Sequence, residues 1–233
     1  MEYRYGKNEN YEYLASGRVL YSGYGVPNFP IRLANEIYGR CLAYSSKKDN
    51  ISLYDCCCGG GYLLTILGLL NQDSIGELIG SDIDEKSLQV AEKNLSLLCL
   101  SGIDSRIEEL TTMYNAYQKT SHKEAIDSGK FIKGMIQKDM SVRLFKANIL
   151  EKLQVDIHPD IIITDIPYGN LVDWHGQDDC MNSLLDTLAD ICNEETILCI
   201  CMNKKQKFSS NRFKRIEKQL IGKRKFEIYK INI

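Results

Sequence analysis

The chain has 233 residues, of which 44% are hydrophobic and 26% are charged, and its formal net charge is −2. This length and composition favour one compact domain with a buried core over a disordered or fibrous chain. No apolar run approaches the roughly 18 residues of a membrane-spanning helix, and the N-terminus, MEYRYGKNENYEY, lacks a signal peptide's apolar segment. We therefore expect a single domain, residues 1–233, in the cytoplasm.

Nine cysteines raise the question of disulfide bonds or a zinc site. Cys56, Cys57 and Cys58 are consecutive, and no Cys-x-x-Cys pair occurs in the chain. Adjacent side chains at a strand tip point in different directions and do not form a tetrahedral site together. We interpret these three as small packing residues and expect no metal ion.

The first 45 residues predict an arm and a helix. Residues 1–17 are polar and tyrosine-rich without a period, so we expect a loose N-terminal arm. Residues 18–30 contain a short extended run followed by glycine and proline. Pro30 to Ala43 has apolar residues at helical spacing with proline in the first turn. We expect this helix to pack across the sheet edge and to close one side of a ligand pocket.

Residues 51–84 predict the unit around which the chain is organised. A carboxylate about twenty residues after a glycine turn lies where the tip of the second strand can bind ribose hydroxyls. The unit comprises a strand (Ile51 to Asp55), a glycine turn (Gly59, Gly60, Gly61), an apolar helix (Tyr62 to Leu70) and a second strand (Glu77 to Ser81) that ends at Asp82.

The details of the glycine turn indicate which nucleoside cofactor it suits. Dinucleotide sites use Gly-x-Gly-x-x-Gly, whereas Leu64 stands where the third glycine would be. Asp55, in front of the turn, repels a pyrophosphate but suits a ligand with an ammonium and a sulfonium group. The pattern therefore predicts S-adenosylmethionine (SAM), and the alternative is a tight turn without a ligand.

The next segment predicts helices and a third strand. Asp84 is expected to cap a helix that runs to about Leu100. Residues 101–140 contain helical patterns but no strand, which predicts a helical insertion used for recognition or for simple packing. Val142 to Ala147 predicts the third strand, and Asn148 at its tip is the candidate that binds adenine.

The fourth strand, Asp160 to Thr164, leads into Asp165-Ile166-Pro167-Tyr168-Gly169. Ligands of open α/β sheets bind at the carboxyl ends of strands, so this motif is expected beside the cofactor's methyl group. Asp165 is suited to hold an N–H of a planar nitrogen nucleophile, and Tyr168 is suited to stack on a base. We take Asp165, Pro167 and Tyr168 as catalytic candidates; the alternative is a motif that only ends a strand.

The last third predicts a mainly parallel sheet with helices on both faces, an α/β Rossmann-like fold. Trp174, in the loop at 171–177, is a candidate to stack on a flipped base or to cover the pocket. The remaining predicted elements are a helix (Cys180 to Cys192), a fifth strand (Thr196 to Met202), a basic helix (about Ser209 to Leu220) and a closing strand (Lys225 to Ile231).

The charge is distributed unevenly along the chain. Residues 203–233 hold eleven Lys or Arg against two Glu, a net charge of +9, so the remainder carries −11. A basic segment on an acidic protein points to a phosphate-bearing partner, or alternatively to a solvated helix face with a basic edge strand. Lys204, Arg212 and Arg215 are the candidate substrate-binding cations.

The strings DCCCGGGYLLTILGLL, SDIDEKSLQVAEKNLSLL and TDIPYGNLVDWHGQ, with SGRVLYSGYGVPNFPIRLANEIYGR upstream, resemble the AviRa-type ribosomal RNA methyltransferases, which are avilamycin-resistance enzymes. The resemblance implies a SAM-dependent methyltransferase fold and a guanine of 23S rRNA held at Asp165 to Tyr168. Ile166 replaces the first proline of the related Asp/Asn-Pro-Pro-Tyr motif. The residues implied or considered for the cofactor are Asp55, Cys56, Gly59, Gly61, Asp82, Ile83, Asn148 and Asp165.

These observations predict a SAM-dependent enzyme that methylates a guanine base of 23S rRNA, with naked RNA or the large ribosomal subunit as its partner. We expect it to act as a monomer without a membrane. The alternatives are nitrogen methylation of DNA adenine or of a protein glutamine, a SAM-binding module without catalysis, and a nicotinamide-dependent enzyme. An intact Asp165 argues against the non-catalytic module, and the missing third glycine argues against the nicotinamide-dependent enzyme.

Overall fold

The computed structural model describes residues 1–22, 29–166, 180–207 and 210–232. Seven strands form one sheet: β1 (Ile51–Asp55), β2 (Ile75–Asp82), β3 (Ser141–Lys146), β4 (Ile161–Asp165), β5 (Ile197–Asn203), β6 (Phe213–Ile221) and β7 (Arg224–Ile231). Their order is β3-β2-β1-β4-β5-β7-β6. The first five strands are parallel, and β7 is antiparallel to both of its neighbours. The predicted mainly parallel α/β sheet is confirmed.

The helices of the described residues lie on both faces of this sheet. They are α1 (Ile31–Tyr44), α2 (Tyr62–Leu70), α3 (Glu85–Ser96), α4 (Leu100–Tyr117), α5 (Thr120–Met135) and α6 (Cys180–Ile191). The core on one face contains buried residues of α1, α2 and α3, and the core on the other contains those of α6. The central strands are apolar on both sides because each contributes to both cores.

Helix α1 lies over the sheet rather than across its edge, which corrects our expectation. It packs beside α2 and over β4 and β5, whereas the edges of the sheet are β3 and β6. The reason is the buried stripe of Leu33, Ile37 and Cys41, which faces the apolar side of the central strands.

The N-terminal arm is fixed rather than loose, which corrects a second expectation. The buried carboxylate of Glu36 on α1 accepts the backbone N–H groups of Arg4, Tyr5 and Gly6 at 2.8, 2.6 and 2.8 Å. Arg40 pairs with the same carboxylate at 2.7 Å and donates to the Glu2 carbonyl. A polar sequence without a period therefore becomes ordered because a helix supplies its hydrogen-bond partners.

The predicted helices of the 101–140 insertion are α4 and α5, which pack against each other before β3. Arg106 on α4 donates to the carbonyls of Val19 and Arg18 at 2.9 and 3.3 Å. The insertion thus holds the segment that follows the N-terminal arm.

The prediction of a basic helix at about Ser209 to Leu220 is wrong. Residues 213–221 form the edge strand β6, which pairs with β7 through a turn at Gly222, where φ is +58°. The Lys, Arg, Glu and Gln residues of this segment favour a helix locally, but pairing with β7 overrides that weak preference.

Candidate active site

The parallel strands bring three carboxylates to one edge of the sheet. Asp55 ends β1, Asp82 ends β2 and Asp165 ends β4, and β1 is hydrogen-bonded to both other strands. The carboxyl ends of parallel strands form the ligand-binding edge of such a sheet. We call this side of the protein the carboxyl edge.

Two glycines of the turn after β1 have left-handed backbones for different reasons. Gly59 has φ +51°, and a Cβ added there would meet nothing within 4 Å. Gly61 has φ +71°, and its added Cβ would lie 3.0 Å from the backbone of Ala91 on α3. Gly61 therefore permits close packing of α2 against α3, whereas Gly59 leaves bare backbone beside open space.

Asp82 organises the turn after β1. One of its carboxylate oxygens accepts the Gly59 N–H at 2.8 Å, and the other accepts the Asp84 N–H at 2.9 Å. Asp84 in turn caps α3 by accepting the N–H groups of Lys86 and Ser87, as predicted. The carboxylate of Asp82 is thus fixed in direction, which prepares it to accept further hydrogen bonds.

Asp55 is an acid in an unfavourable environment. Its side chain is 2% exposed and accepts the Cys57 N–H at 3.1 Å. Burial, helped by the nearby carboxylates of Asp82 and Asp165, raises the pKa of Asp55 to about 7. A cationic ligand at this position would favour the ionised carboxylate.

Two of the three consecutive cysteines beside Asp55 are buried, as expected, whereas Cys57 is half-buried. Cys56 is 2% exposed and Cys58 is 6% exposed. Burial raises the pKa of the Cys58 thiol well above its ordinary value, so it stays protonated. Within the described residues, no group of three His, Cys, Asp or Glu could hold a metal ion.

Ile83 and Asn148 border the carboxyl edge beyond Asp82. Ile83 is 61% exposed and follows Asp82 directly. The Asn148 side chain accepts the Leu150 N–H at 3.1 Å and donates to Glu151 at 2.8 Å, so it shapes the turn after β3. The preceding residue ties this turn to β2, because the Ala147 N–H donates to the Asp82 carbonyl at 3.1 Å.

Asp165 presents one occupied and one vacant acceptor. Its Oδ2 pairs with Nη1 of Arg224 at 3.4 Å. Its Oδ1 is buried, and no group in the described parts of the chain donates to it. Burial raises the pKa of Asp165 to about 6, and the Arg224 guanidinium opposes that rise. The site thus holds a basic carboxylate with an oxygen open to a hydrogen-bond donor.

Comparison with known proteins identifies the family to which this arrangement belongs. The family described as rRNA methyltransferase AviRa matches residues 1–224. This chain belongs to that family. The resemblance recognised from the sequence is therefore confirmed, and with it the class of enzyme, an rRNA methyltransferase.

Individual relatives agree with this family. The chain is 33% identical over 221 residues to the 23S rRNA (guanine(2535)-N(1))-methyltransferase of Streptomyces viridochromogenes, covering 91% of this chain and 88% of the relative. A solved structure of rRNA methyltransferase aviRa from that organism superposes with a TM-score of 0.90 at 30% identity, covering 99% and 96% of the two chains. TrmN from Thermus thermophilus, with a TM-score of 0.54 and 11% identity over 88% of this chain and 49% of that one, shares the fold alone.

Some candidates of the sequence analysis fall outside the described residues. They are Pro167, Tyr168 and Trp174, together with the rest of the predicted loop at 171–177. Within the described residues, no helix is long and apolar enough to cross a membrane.

The structure separates the three candidate substrate-binding cations. Lys204 lies at the carboxyl edge, where its backbone N–H bonds the Lys223 carbonyl in the β6–β7 turn at 3.0 Å. Arg212 lies at the opposite end of the sheet and pairs with Asp190 at 3.1 Å. Arg215 pairs with the buried Glu227 at 3.2 Å. Among these three, only Lys204 therefore lies at the carboxyl edge, where β4 ends at Asp165.

Two residues that the sequence analysis missed support the AviRa-family site. Arg224 is the partner of Asp165, and its position was hidden because β6 was predicted as a helix. Asn94 on α3 donates to the carbonyls of Gly60 and Tyr21 at 2.8 and 3.0 Å, and it accepts the Tyr21 N–H at 2.7 Å. Asn94 thus ties the glycine turn to the segment that follows the arm, and no motif in the sequence indicates this contact.

Proposed function

We propose that this protein transfers the methyl group of SAM to a ring nitrogen of a guanine base in 23S ribosomal RNA. The vacant, buried Oδ1 of Asp165 at the carboxyl edge carries the proposal, because it fits a donor such as the N–H of a base. The curated relative named as a 23S rRNA guanine N1 methyltransferase supports the substrate class.

The residues of the carboxyl edge fit SAM. Open space beside the Gly59 backbone admits a ligand. The carboxylates of Asp55 and Asp82 suit a ligand with a positive charge and ribose hydroxyls. SAM supplies a methyl group bonded to a positively charged sulfur. We propose that the residues that hold it are Asp55, Cys56, Gly59, Gly61, Asp82, Ile83, Asn148 and Asp165.

Asp165 supplies the base that this reaction needs. Guanine N1 carries a hydrogen that must leave when the nitrogen is methylated, so an acceptor must lie beside it. Burial raises the pKa of Asp165 to about 6, which makes the carboxylate a stronger base while it stays mostly ionised at neutral pH. The partly dry surroundings also strengthen its hydrogen bond to the substrate.

The remaining roles belong to the same proposal. Pro167 and Tyr168 complete the catalytic motif, and Tyr168 and Trp174 stack on the target base. Lys204 contacts RNA phosphates with its exposed neighbours at the carboxyl edge. The protein acts in the cytoplasm as a monomer, and its methylation of the ribosome protects against an orthosomycin antibiotic such as avilamycin.

The test is transfer of radiolabelled methyl from SAM to ribosomal RNA from a strain that lacks the gene. The wild type, Asp165→Asn and the control Asp156→Asn are compared on deproteinised RNA and on intact large subunits. Asp156 is matched because its side chain is 93% exposed on the protein surface. We expect label in 23S RNA with the wild type and the control but not with Asp165→Asn.

The outcomes separate the proposal from its alternatives. Absence of label in both RNA substrates, from a protein that binds SAM, would refute the proposed substrate. Label in duplex DNA or in a protein instead would establish one of the alternative nitrogen methylations. A stop of primer extension at a guanine would assign the methyl group to the base-pairing edge.

A further inference from the structure

Arg224 lies where it reaches both Asp165 and the space in front of it. It begins β7 and pairs with Asn203 at the end of β5, so it lies at the carboxyl edge although β7 is antiparallel. Its guanidinium carbon is 5.4 Å from the centre of the Phe29 ring, and Nη1 is 3.4 Å from Oδ2 of Asp165. Its side chain is 23% exposed, so the protein does not enclose it completely.

The pair of side chains is chemically complementary to one base. The Watson–Crick edge of guanine has an acceptor, O6, beside a donor, N1–H, whereas adenine has a donor beside an acceptor. Asp165 offers an acceptor in its vacant Oδ1, and Arg224 offers donors only, since a guanidinium has no acceptor. A donor beside an acceptor is the arrangement that guanine requires and that adenine opposes.

We propose that Arg224 selects the target guanine by donating to O6 while it holds Asp165 in place to accept the N1 hydrogen. This inference rests on the proposed function and adds the residue that distinguishes guanine from adenine. Arg224 would thus determine specificity through O6 of the base and position the carboxylate of Asp165.

The proton and electron balance of the step is complete without another reactant. The N1–H bond breaks and its proton passes to Oδ1 of Asp165. The electron pair on N1 forms the bond to the methyl carbon, and the carbon–sulfur bond of SAM breaks with its pair retained by sulfur. Arg224 remains protonated throughout and stabilises the negative charge that develops on O6. Asp165 then releases its proton to solvent.

The electrostatic surroundings of Asp165 make Arg224 important. Asp55 on β1 and the Cys201 thiol on β5 both lie close enough to Asp165 for its carboxylate to raise their pKa values. Arg224 on β7 is the cation that lowers the pKa of Asp165, against the larger effect of burial. Without Arg224 the pKa of Asp165 rises, so the carboxylate becomes protonated at a higher pH and the acid limb of activity moves upward.

The first experiment compares the wild type with Arg224→Met, Arg224→Lys and the control Arg143→Met. Arg143 is the matched control because it is also a strand arginine in an ion pair, with Glu77 at 3.5 Å. It lies on β3, at the far edge of the sheet. We expect Arg224→Met to lower kcat on ribosomal RNA about 100-fold, as loss of one donor to a developing oxyanion does. We expect Arg224→Lys to recover part of that loss, and Arg143→Met to match the wild type.

The accompanying readouts distinguish this role from a structural one. SAM affinity and the melting temperature should stay unchanged in Arg224→Lys, while the acid limb of kcat/KM should move to higher pH in Arg224→Met. If Arg224→Met fails to fold, the Lys variant and its pH profile decide the matter. Unchanged kcat and an unchanged acid limb in both variants would overturn the inference.

The second experiment changes the base instead of the protein. The guanine that the wild type methylates is first located, and it is then replaced by inosine or adenine in ligated RNA. Inosine keeps O6 and N1–H but lacks the exocyclic amine, so the wild type should methylate it and should reject adenine. Rejection of inosine would show that O6 and N1–H are not sufficient for selection, and it would overturn this inference. Failure of the wild type on unmodified RNA would instead refute the proposed function.

Discussion

At the scale of single residues, Asp55 at the carboxyl edge lies where an ionised carboxylate is unfavourable. Asp55 is buried beside two other carboxylates, where its ionised form is unfavourable. If SAM binds here as proposed, its positive charge would relieve that cost, and the relief would add to its affinity. The opposite arrangement, with a neutral side chain at this position, would suit a more stable protein without this function.

Asp55→Asn should therefore stabilise the free protein, and more so at pH 8 than at pH 5. Burial raises the folded-state pKa of Asp55 to about 7 from 3.8. The stability that comes from protonation is complete below pH 3.8 and is lost as the pH rises through about 7. The variant avoids this loss, so its melting temperature should exceed that of the wild type by several degrees at pH 8, at roughly 2–4 °C per kcal/mol.

Thermal unfolding at the two pH values, with SAM binding by calorimetry, checks this prediction. SAM affinity should fall in Asp55→Asn. Asp156→Asn is the control, because its exposed carboxylate should give no gain that depends on pH. An equal gain for Asp55→Asn at both pH values would mean that Asp55 is already ionised in the folded protein.

The two left-handed glycines should respond differently to alanine. Gly59→Ala adds a methyl group to open space, so it should cost only about 1–2 kcal/mol of backbone strain but weaken SAM binding strongly. Gly61→Ala places its methyl group 3.0 Å from the Ala91 backbone, so it should destabilise the protein more. Denaturant unfolding and SAM titration of both variants measure the difference. The interpretation fails if Gly59→Ala binds SAM as tightly as the wild type.

At the scale of elements, the β6–β7 hairpin brings charge into the sheet and positions Arg224. On β7, Lys225 and Glu227 are 3% and 1% exposed, and they pair at 2.7 Å. Glu227 also bonds the Tyr229 hydroxyl and pairs with Arg215. These partners lie on β6 and β7, so the buried carboxylate joins the two strands of the hairpin, whereas backbone pairing of β7 with β5 sets where Arg224 lies.

The N-terminal arm should depend on one carboxylate of α1. Glu36→Gln removes the charge that accepts three backbone N–H groups and pairs with Arg40, which itself also pairs with Glu217 on β6. We expect a loss of about 3 kcal/mol in the free energy of unfolding, because buried partners remain without their anion. Amide exchange at residues 4–6 should accelerate.

The matched control is Glu12→Gln. Glu12 pairs with Arg18 at 3.0 Å, but its side chain is 62% exposed, so its loss should change stability by less than about 1 kcal/mol. Equal effects of the two substitutions, or unchanged exchange at the arm in Glu36→Gln, would show that apolar packing alone holds the arm.

At the scale of the whole molecule, the basic segment is divided between two ends of the sheet. Lys204, Lys205 and Lys223 are exposed at the carboxyl edge, while Lys214 and Lys230 face each other at the opposite end. The net charge of +9 in residues 203–233 is therefore not one continuous surface. The cations near Asp165 are those that an RNA substrate would meet first.

The double substitution Lys204→Gln and Lys205→Gln should weaken RNA binding and its dependence on salt. Each phosphate contact contributes about 0.7–0.9 to the slope of log affinity against log salt, so the slope should fall by about 1–2. Filter binding of 23S RNA at several salt concentrations measures this slope. The pair Lys214→Gln and Lys230→Gln is the control, and an equal fall in it would mean that RNA binds at both ends of the sheet.

The sequence by itself determined the central unit of this protein. The strand, glycine turn and helix at residues 51–70 and the Asp84 cap at the start of α3 matched expectation, because each depends on contacts within a few residues. The second strand and the closing strand were also predicted. In the structure each begins one or two residues earlier than predicted and ends at the predicted residue. The strings around the glycine turn and Asp165 were specific enough to indicate the family.

Only the tertiary structure decided the rest. Arg224 meets Asp165 across 59 positions of the chain, and Asn94 meets Tyr21 across 73. The β6 strand and the fixed arm likewise depend on partners that are distant in sequence, so local helix preference and lack of periodicity predicted them wrongly. The end of the sheet at which each cation lies followed from the positions of the β6–β7 hairpin and its turn, and not from the composition of the segment.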